Sequence, residues 1–183
     1  MAINNNEYWS EFSNFIGGEF HEAAYWYSAK TVINYNGFCI AFDGFGESKK
    51  VYCRFSYGEK IALRIDKKSF INKLINLFIS RQKTNDKRFD EQYLVHSPNQ
   101  GITSILNFLV RRMYLDLDIA GLFISIGKAG SSEEVLFDND YELIVYTKGI
   151  RSDYEYFKEV LVLFKYLVGN LSSSYNITPV NLE

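Results

Sequence analysis

Residues 30–42 have the sequence KTVINYNGFCIAF, in which the period of apolar residues is two on each side of Asn36-Gly37. Both turn positions accept the positive φ of a type I′ turn, which makes this pair the strongest short hairpin signal in the chain. Closing the turn pairs residues in the order Tyr35–Phe38, Ile33–Ile40 and Thr31–Phe42. The stretch therefore predicts an antiparallel hairpin.

The apolar pattern extends this hairpin into a larger sheet. A register slip of one residue would turn apolar side chains to the wrong face. Keeping one face apolar favours Phe42–Val51, Ile40–Cys53 and Phe38–Phe55. A turn around residues 57–59 then adds Phe55–Ile61, Cys53–Leu63 and Val51–Ile65. We therefore expect a four-stranded antiparallel meander over residues 30–65, with Cys39 and Cys53 on opposite faces and no disulfide between them.

The remaining segments alternate between helical and extended patterns. An N-terminal helical segment is expected within residues 1–28, with a helix over 7–16 that ends at Gly17-Gly18. Its aromatic residues fit either a docked helix or an apolar pocket, and docking is favoured. Amphipathic helices are expected over 68–80, from Ser97-Pro98 to Met113, and from Ser152 to Gly169. A polar loop is expected over 81–88 and a hairpin loop over 127–132. Further strands are expected at 91–96, 115–119, 122–126, 135–137 and 141–147, with a tail over 170–183.

This order of elements predicts one α+β domain over residues 1–183, with antiparallel sheets and helices packed on the covered faces. Two prolines and the lack of low-complexity sequence argue against a disordered linker. The N-terminus lacks the basic start and apolar run of a signal peptide, and no window approaches the ~20 apolar residues of a membrane span. We therefore expect a soluble, cytoplasmic protein without a transmembrane segment.

Charge is unevenly distributed along the chain. Twelve of the twenty lysines and arginines lie between Lys49 and Arg88, where only three residues are acidic, although the formal net charge of the chain is −2. In the predicted meander, several of these side chains share the face away from the core. The predicted binding residues are Lys50, Tyr52, Arg54, Lys60, Arg64, Lys67 and Lys68. A basic surface of this kind attracts an acidic partner.

Several partners fit such a surface. An acidic protein or self-association is favoured over nucleic acid or anionic lipid, because the chain is acidic overall and Tyr52 is the one aromatic residue available for stacking. The competing interpretation is that these side chains are solvated, or are neutralised by the acidic C-terminal half or by a second subunit.

The motifs for metal or nucleotide chemistry are incomplete. His21-Glu22 begins a zinc-protease pattern, but Tyr25 stands where the second histidine is required. Gly127-Lys128 lacks the earlier glycine and the following Ser or Thr of a phosphate-binding loop. We therefore expect neither a metal site nor a cofactor.

Scattered carboxylates leave a catalytic alternative open. Asp116 and Asp118 would share one face of a predicted strand, and Asp90 begins another, but solvated or locally capping roles are favoured for all three. Cys53 is expected to be an inert core residue. No catalytic residue is assigned on these grounds.

A resemblance rests on residues 89–97 (FDEQYLVHS) and 121–126 (GLFISI). A strand of the form FD..F.V.S, a helix and a G.L.I.I hairpin resemble a bacterial family known only as a domain of unknown function. The match extends over about residues 30–145, and residues 63–78 resemble the family pattern more loosely. The resemblance implies a fold and no activity. Many members of that family carry transmembrane helices, which are not expected here.

We therefore expect a non-catalytic binding or scaffolding domain that meets an acidic partner through a basic sheet face. One alternative is a hydrolase or transferase assembled from dispersed carboxylates and tyrosines, which a deep pocket gathering Asp90, Asp116 or His96 would support. Another is a bacterial immunity or stress-type protein that binds one cognate partner.

Overall fold

The structure is an antiparallel sheet with helices packed on one face. The computed structural model describes residues 5–23, 28–45, 48–68, 81–99, 101–126, 139–148 and 153–182. Its helices are α1 (Asn5–Ile16), α2 (Lys87–Gln92), a 3-10 turn (Ile102–Ile105), α3 (Phe108–Asp116) and α4 (Tyr154–Ser174). Its strands are β1 (Glu19–His21), β2 (Lys30–Tyr35), β3 (Phe38–Phe45), β4 (Ser48–Ser56), β5 (Leu63–Lys67), β6 (Tyr93–His96), β7 (Gly121–Ile126), β8 (Asp140–Lys148) and β9 (Thr178–Val180).

The strands form one nine-stranded sheet in the order β1-β2-β3-β4-β8-β7-β5-β6, and β9 pairs with β4 beside this series. All the strand pairs are antiparallel. The expected α+β fold with an antiparallel sheet is therefore confirmed.

The first hairpin has the predicted turn and register. Asn36 and Gly37 have φ angles of 51° and 84°, as a type I′ turn requires. All three predicted pairs across it are present. The Phe42–Val51 pair is also present, but the ladder between β3 and β4 ends at Ala41–Tyr52. Beyond that point Phe55 pairs with Pro179 of β9 rather than with Phe38.

The predicted pairing of the fourth strand of the meander is wrong. β5 pairs with β6 and β7, whereas β4 pairs with β8 over nine residue pairs. The intervening segment 57–62 does not form a tight turn. Its Tyr57 N–H donates to the Asn139 carbonyl at 3.0 Å, and its Glu59 carbonyl accepts from the Tyr141 hydroxyl at 3.0 Å. β8 supplies a longer apolar alternation than β5 does, so the distant partner replaces the local one.

The apolar core lies between the helices and one face of the sheet. Trp9 and Phe12 of α1 are fully buried, and the Phe12 ring lies 5.0 Å from the Phe42 ring in an edge-to-face arrangement. α4 contributes nine buried residues to the same cluster. The favoured docking of the N-terminal aromatic helix is confirmed. None of the four described helices covers the second face of the sheet, and with respect to these four helices we call it the helix-free face.

Several predicted boundaries are wrong. α4 continues past Gly169 to Ser174 because Leu171 is buried, so residues 170–183 are not simply a tail. Asn107, and not Ser97, caps α3 by accepting the Val110 N–H at 3.0 Å. The predicted strand at 115–119 is the end of α3 followed by a turn, in which Asp118 has a φ angle of 51°.

Other differences lie near α2. Residues 87–92 form this short helix, with Asp86 as its N-cap, where a loop and the start of a strand were predicted. Residues 19–21 form β1 within the predicted N-terminal helical segment. Residues 69–80 of the helix predicted over 68–80 lie outside the described residues. The predicted hairpin loop over 127–132 and strand over 135–137 also lie outside them, as do Tyr25 and Ser152.

Candidate binding groove

The predicted basic face is not continuous. β8 and β7 lie between β4 and β5, so Lys50, Tyr52 and Arg54 do not adjoin Arg64 as the meander required. The predicted basic face required β5 to pair with β4, its neighbour in sequence, whereas the observed partner of β4 is distant in the chain. Lys50 and Arg54 therefore lie on a different part of the sheet from Arg64.

Most of the predicted binding cations contact acidic groups. Lys50 lies 3.6 Å from Asp43, and Arg54 Nε lies 2.9 Å from Glu142 Oε1. The side chains of Arg54 and Glu142 are only 12% and 11% exposed, so each charge needs the other. Lys67 pairs with Asp118, and Lys68 donates to the Asp90 carbonyl. Pairs such as Lys67–Asp118 bring acidic residues of the C-terminal half to the basic segment.

Tyr52 is buried on the helix-free face. It forms a small apolar cluster with Val32 and Ala41, and the Lys50 ammonium lies 4.5 Å from the centroid of its ring. Burial raises the pKa of the Tyr52 hydroxyl far above its ordinary value. Tyr52 is therefore a packing residue in this arrangement.

A different part of the helix-free face contains a groove, and its wall is held by hydrogen bonds. The Asn99 side-chain oxygen accepts from the Ala62 N–H at 2.9 Å, and its amide donates to the Lys60 carbonyl at 2.7 Å. The Ser97 hydroxyl donates to the Ala62 carbonyl at 2.5 Å. Gln82 donates to the carbonyls of Ser97 and Asn99 at 2.9 and 3.0 Å. These hydrogen bonds hold the 97–99 loop against residues 60–62.

Two adjoining cavities make up the groove, with volumes of about 810 and 750 Å³. Ala62, Pro98 and Ser125 line both of them. Phe123 lines the first cavity and Ile144 the second, and these two residues face each other across β7 and β8. Within the described residues the groove is therefore open and partly apolar, which suits an extended ligand.

Two of the predicted binding residues reach the groove. Arg64 lines the first cavity, where its guanidinium lies 5.4 Å from the centroid of the Phe123 ring, and Lys60 lines the second. The Arg64 side chain is 62% exposed and contacts Asp66 at 2.6 Å. Because an exposed pair of this kind is weak, the guanidinium can also contact a ligand.

The catalytic candidates are not assembled into a site. His96 lines the first cavity. Asp90 in α2 accepts from the Thr84 hydroxyl at 2.8 Å, and Asp116 lies exposed at the end of α3. Among the described residues no group of three or more His, Cys, Asp or Glu side chains could hold a metal ion. Asp90, Asp116 and His96 thus lie in separate places and do not form a common catalytic site.

Neither cysteine has the features of a nucleophilic thiol. Cys39 and Cys53 do not form a disulfide, and they lie on opposite faces of the sheet as predicted. Burial raises the pKa of the Cys39 thiol and, more strongly, that of the Cys53 thiol. A raised pKa reduces the thiolate fraction on which nucleophilic attack depends.

Sequence reasoning missed the residues that build the groove, which are Gln82, Asn99, Phe123, Ser125 and Ile144. Ser97-Pro98-Asn99 carried a turn signal as well as a helix-start signal, since Ser, Pro and Asn favour both. The turn interpretation would have placed Asn99 in a loop. Nothing local indicated that this loop contacts residues 60–62.

No protein-family model, curated protein or solved structure matches this chain. The resemblance noted over residues 30–145 therefore stays a prediction. Among the described helices, none combines the length and apolar character needed to cross a membrane.

Proposed function

We propose that this chain is a non-catalytic, cytoplasmic binding domain that holds an extended acidic protein segment in the groove on its helix-free face. The observation that carries this proposal is the pair of adjoining cavities that share Ala62, Pro98 and Ser125 and contain Lys60 and Arg64. The wider basic face expected from the sequence is reduced here to these two cations.

The shape of the groove supports an extended ligand. Phe123 and Ile144 offer apolar surface in successive cavities, so a segment with spaced apolar side chains could bury one in each. The hydrogen bonds of Asn99 hold the wall in place before binding, which limits the entropy cost of ordering it.

Charge supports an acidic ligand. Lys60 and Arg64 are exposed, whereas the carboxylate of Glu142 in the same groove is already bound to Arg54. Acidic side chains of a ligand would therefore meet the Lys60 ammonium and the exposed Arg64 guanidinium, which Asp66 contacts on one side, beside a carboxylate that Arg54 neutralises. Nucleic acid is less favoured, because among the described groove residues only the Phe123 ring is available beside a cation, whereas the Tyr141 ring beside Lys60 is buried.

The alternatives have less support. A hydrolase or transferase needs Asp90, Asp116 or His96 in one pocket, and these residues occupy separate places. An immunity or stress-type protein with one cognate partner would be a special case of the proposed binding role. Self-association would require an acidic segment of a second copy to enter the groove.

The proposal is tested with the full chain and fluorescent octapeptides in which Glu alternates with Leu, measured by polarisation at low and moderate salt. The matched peptides carry Lys in place of Glu. We expect the acidic peptides to bind preferentially and to weaken as salt screens the cations.

Charge reversal locates the site. The double variant Lys60→Glu, Arg64→Glu should weaken binding of the acidic peptides at least about tenfold, equivalent to about 1.4 kcal/mol. The matched control is Lys83→Glu, Lys87→Glu, which reverses two exposed cations around a separate, smaller cavity. Equal losses in both double variants, or equal binding of the Lys peptides, would overturn the proposal.

A further inference from the structure

A second candidate surface lies where β3 and β4 separate. The ladder between these strands ends at Ala41–Tyr52, and residues 54–56 of β4 then pair with residues 178–180 of β9. On its other side this part of β4 pairs with β8. The chain's own last strand thus fills an edge of β4 that β3 leaves open.

The segment 178–182 binds this edge through its backbone and through alternate side chains. Val180 pairs with Arg54, whose side chain is on the helix-free face. Leu182, two residues on, packs against the cluster of Val32, Ala41 and Tyr52. Burial raises the pKa of the Cys39 thiol, and the nearby Leu182 backbone partly opposes this effect. In effect the segment presents two apolar side chains on one face, spaced as in a bound strand.

Few contacts hold this segment in place. β9 makes three residue pairs, and Thr178, Pro179 and Asn181 are exposed. A short, exposed edge segment of this kind opens at a low cost in free energy compared with the core. Opening would expose the backbone groups of residues 54–56 and the apolar cluster around Tyr52.

We infer that this edge of β4 is a peptide-binding surface, which accepts an extended segment with apolar side chains two residues apart. Residues 178–182 occupy the surface within the chain and so compete with a partner segment. Recognition combines strand addition through the backbone of β4 with an apolar anchor at the position of Leu182. This surface adjoins the groove at Ile144, which packs against the same cluster, but the inference does not depend on the proposed function.

The occupation of this surface by residues 178–182 is tested in the full chain through the reactivity of Cys39 toward Ellman's reagent. Leu182→Ala should raise the rate of Cys39 modification severalfold, because the anchor over Cys39 is weakened. Asn181→Ala, which alters an exposed side chain, should leave the rate unchanged. Cys53 is almost wholly buried, and the Cys39→Ser variant gives its background rate. An unchanged rate in Leu182→Ala would overturn the inference.

Binding is tested with a fluorescent peptide of residues 175–183 (YNITPVNLE) added to the full chain. The tethered segment competes at a high effective concentration, so weakening it should favour the added peptide. We expect the Leu182→Ala chain to bind the peptide at least about fivefold more tightly than the unchanged chain, since more of its surface is open.

The control peptide carries Asp in place of both Val180 and Leu182 and should not bind. The inference is overturned if the two chains bind the original peptide equally, if neither binds it, or if the Asp peptide binds as well. If Cys39 reacts faster but the peptide does not bind, residues 178–182 only shield Cys39 from solvent, and the inference is also overturned.

Discussion

The Nζ atom of Lys49 lies 4.0 Å from the centroid of the Tyr8 ring, within the core that the helices cover. The Phe157 ring lies 5.0 Å from the same atom, and Lys49 is only 6% exposed. Aromatic faces stabilise an ammonium group, whereas removal from water destabilises it. Burial is the stronger effect here, since it lowers the pKa of Lys49 from 10.5 to about 8.

The first prediction concerns this lysine. Between pH 8 and 10.5 the unfolded chain binds a proton at Lys49 that the folded chain has lost, so this group adds stability as pH rises. Below pH 8 the cost of burying the charge is fully present. Lys49→Met should therefore be more stable than the unchanged chain at pH 7, by about 1–2 kcal/mol in urea unfolding.

The pH dependence provides the control. The advantage of Lys49→Met should decrease by about 1 kcal/mol or more between pH 7 and 9.5. Burial raises the pKa of Tyr93 and Tyr114, which lowers stability above pH 10 in both proteins and cancels in the difference. A difference that stays constant with pH would contradict the assignment to Lys49.

The second prediction compares two neighbouring tyrosines whose ring centroids are 4.8 Å apart. The Tyr93 hydroxyl donates to the Ile119 carbonyl at 3.0 Å, whereas the buried Tyr114 hydroxyl has no hydrogen-bond partner within the part of the chain that the structure describes. Tyr93→Phe should lose about 1–2 kcal/mol of unfolding free energy, because it leaves a buried carbonyl unsatisfied. Tyr114→Phe should be neutral or stabilising. Thermal unfolding of both variants checks this order, and the reverse order would contradict it.

The sequence predicted what local chemistry determines. The Asn36-Gly37 turn permits one hairpin register, and the apolar alternation on each side agrees with it, so both arguments led to the observed pairs. The opposite facing of Cys39 and Cys53 followed from the same register. The α+β class followed from the order of helical and extended patterns.

Local turn chemistry and apolar alternation could not predict which strands pair when they are distant in the sequence. Two apolar strands were candidates to pair with β4, and the short connection to β5 favoured the local one. The observed partner β8 brings together Arg54 and Glu142, which are 88 positions apart in the chain. The groove depends on this arrangement and on the contact of the 97–99 loop with residues 60–62, so neither its position nor its lining could be predicted. Lys60 and Arg64 were named for a basic face that does not form.

The third prediction separates the two arginines of that predicted face. Arg54→Glu would place two carboxylates together where only about a tenth of each side chain is exposed, and should cost about 3–5 kcal/mol of stability. Arg64→Glu alters a side chain that is 62% exposed and should change stability by less than about 0.5 kcal/mol.

Chemical denaturation of both arginine variants measures the difference. The double variant Arg54→Glu, Glu142→Arg should recover part of the lost stability, because it restores an ion pair with reversed polarity. Similar stabilities for the Arg54→Glu and Arg64→Glu proteins would show that the Arg54–Glu142 pair contributes little.

The fourth prediction concerns the connection between α1 and β1. The Gly18 N–H donates to the Ser13 carbonyl at 2.8 Å and closes the helix, and a Cβ at Gly18 would lie 2.7 Å from the Val32 carbonyl oxygen. That oxygen belongs to the backbone of the paired strand β2, so relief requires α1 or β1 to move. Gly18→Ala should therefore cost about 1–3 kcal/mol. Gly58→Ala is the matched control, since nothing lies within 4 Å of its Cβ position, and it should be neutral or slightly stabilising in the same thermal unfolding measurement. If Gly18→Ala unfolds at the temperature of the unchanged chain, the close approach of α1 to the sheet is not constrained at this residue.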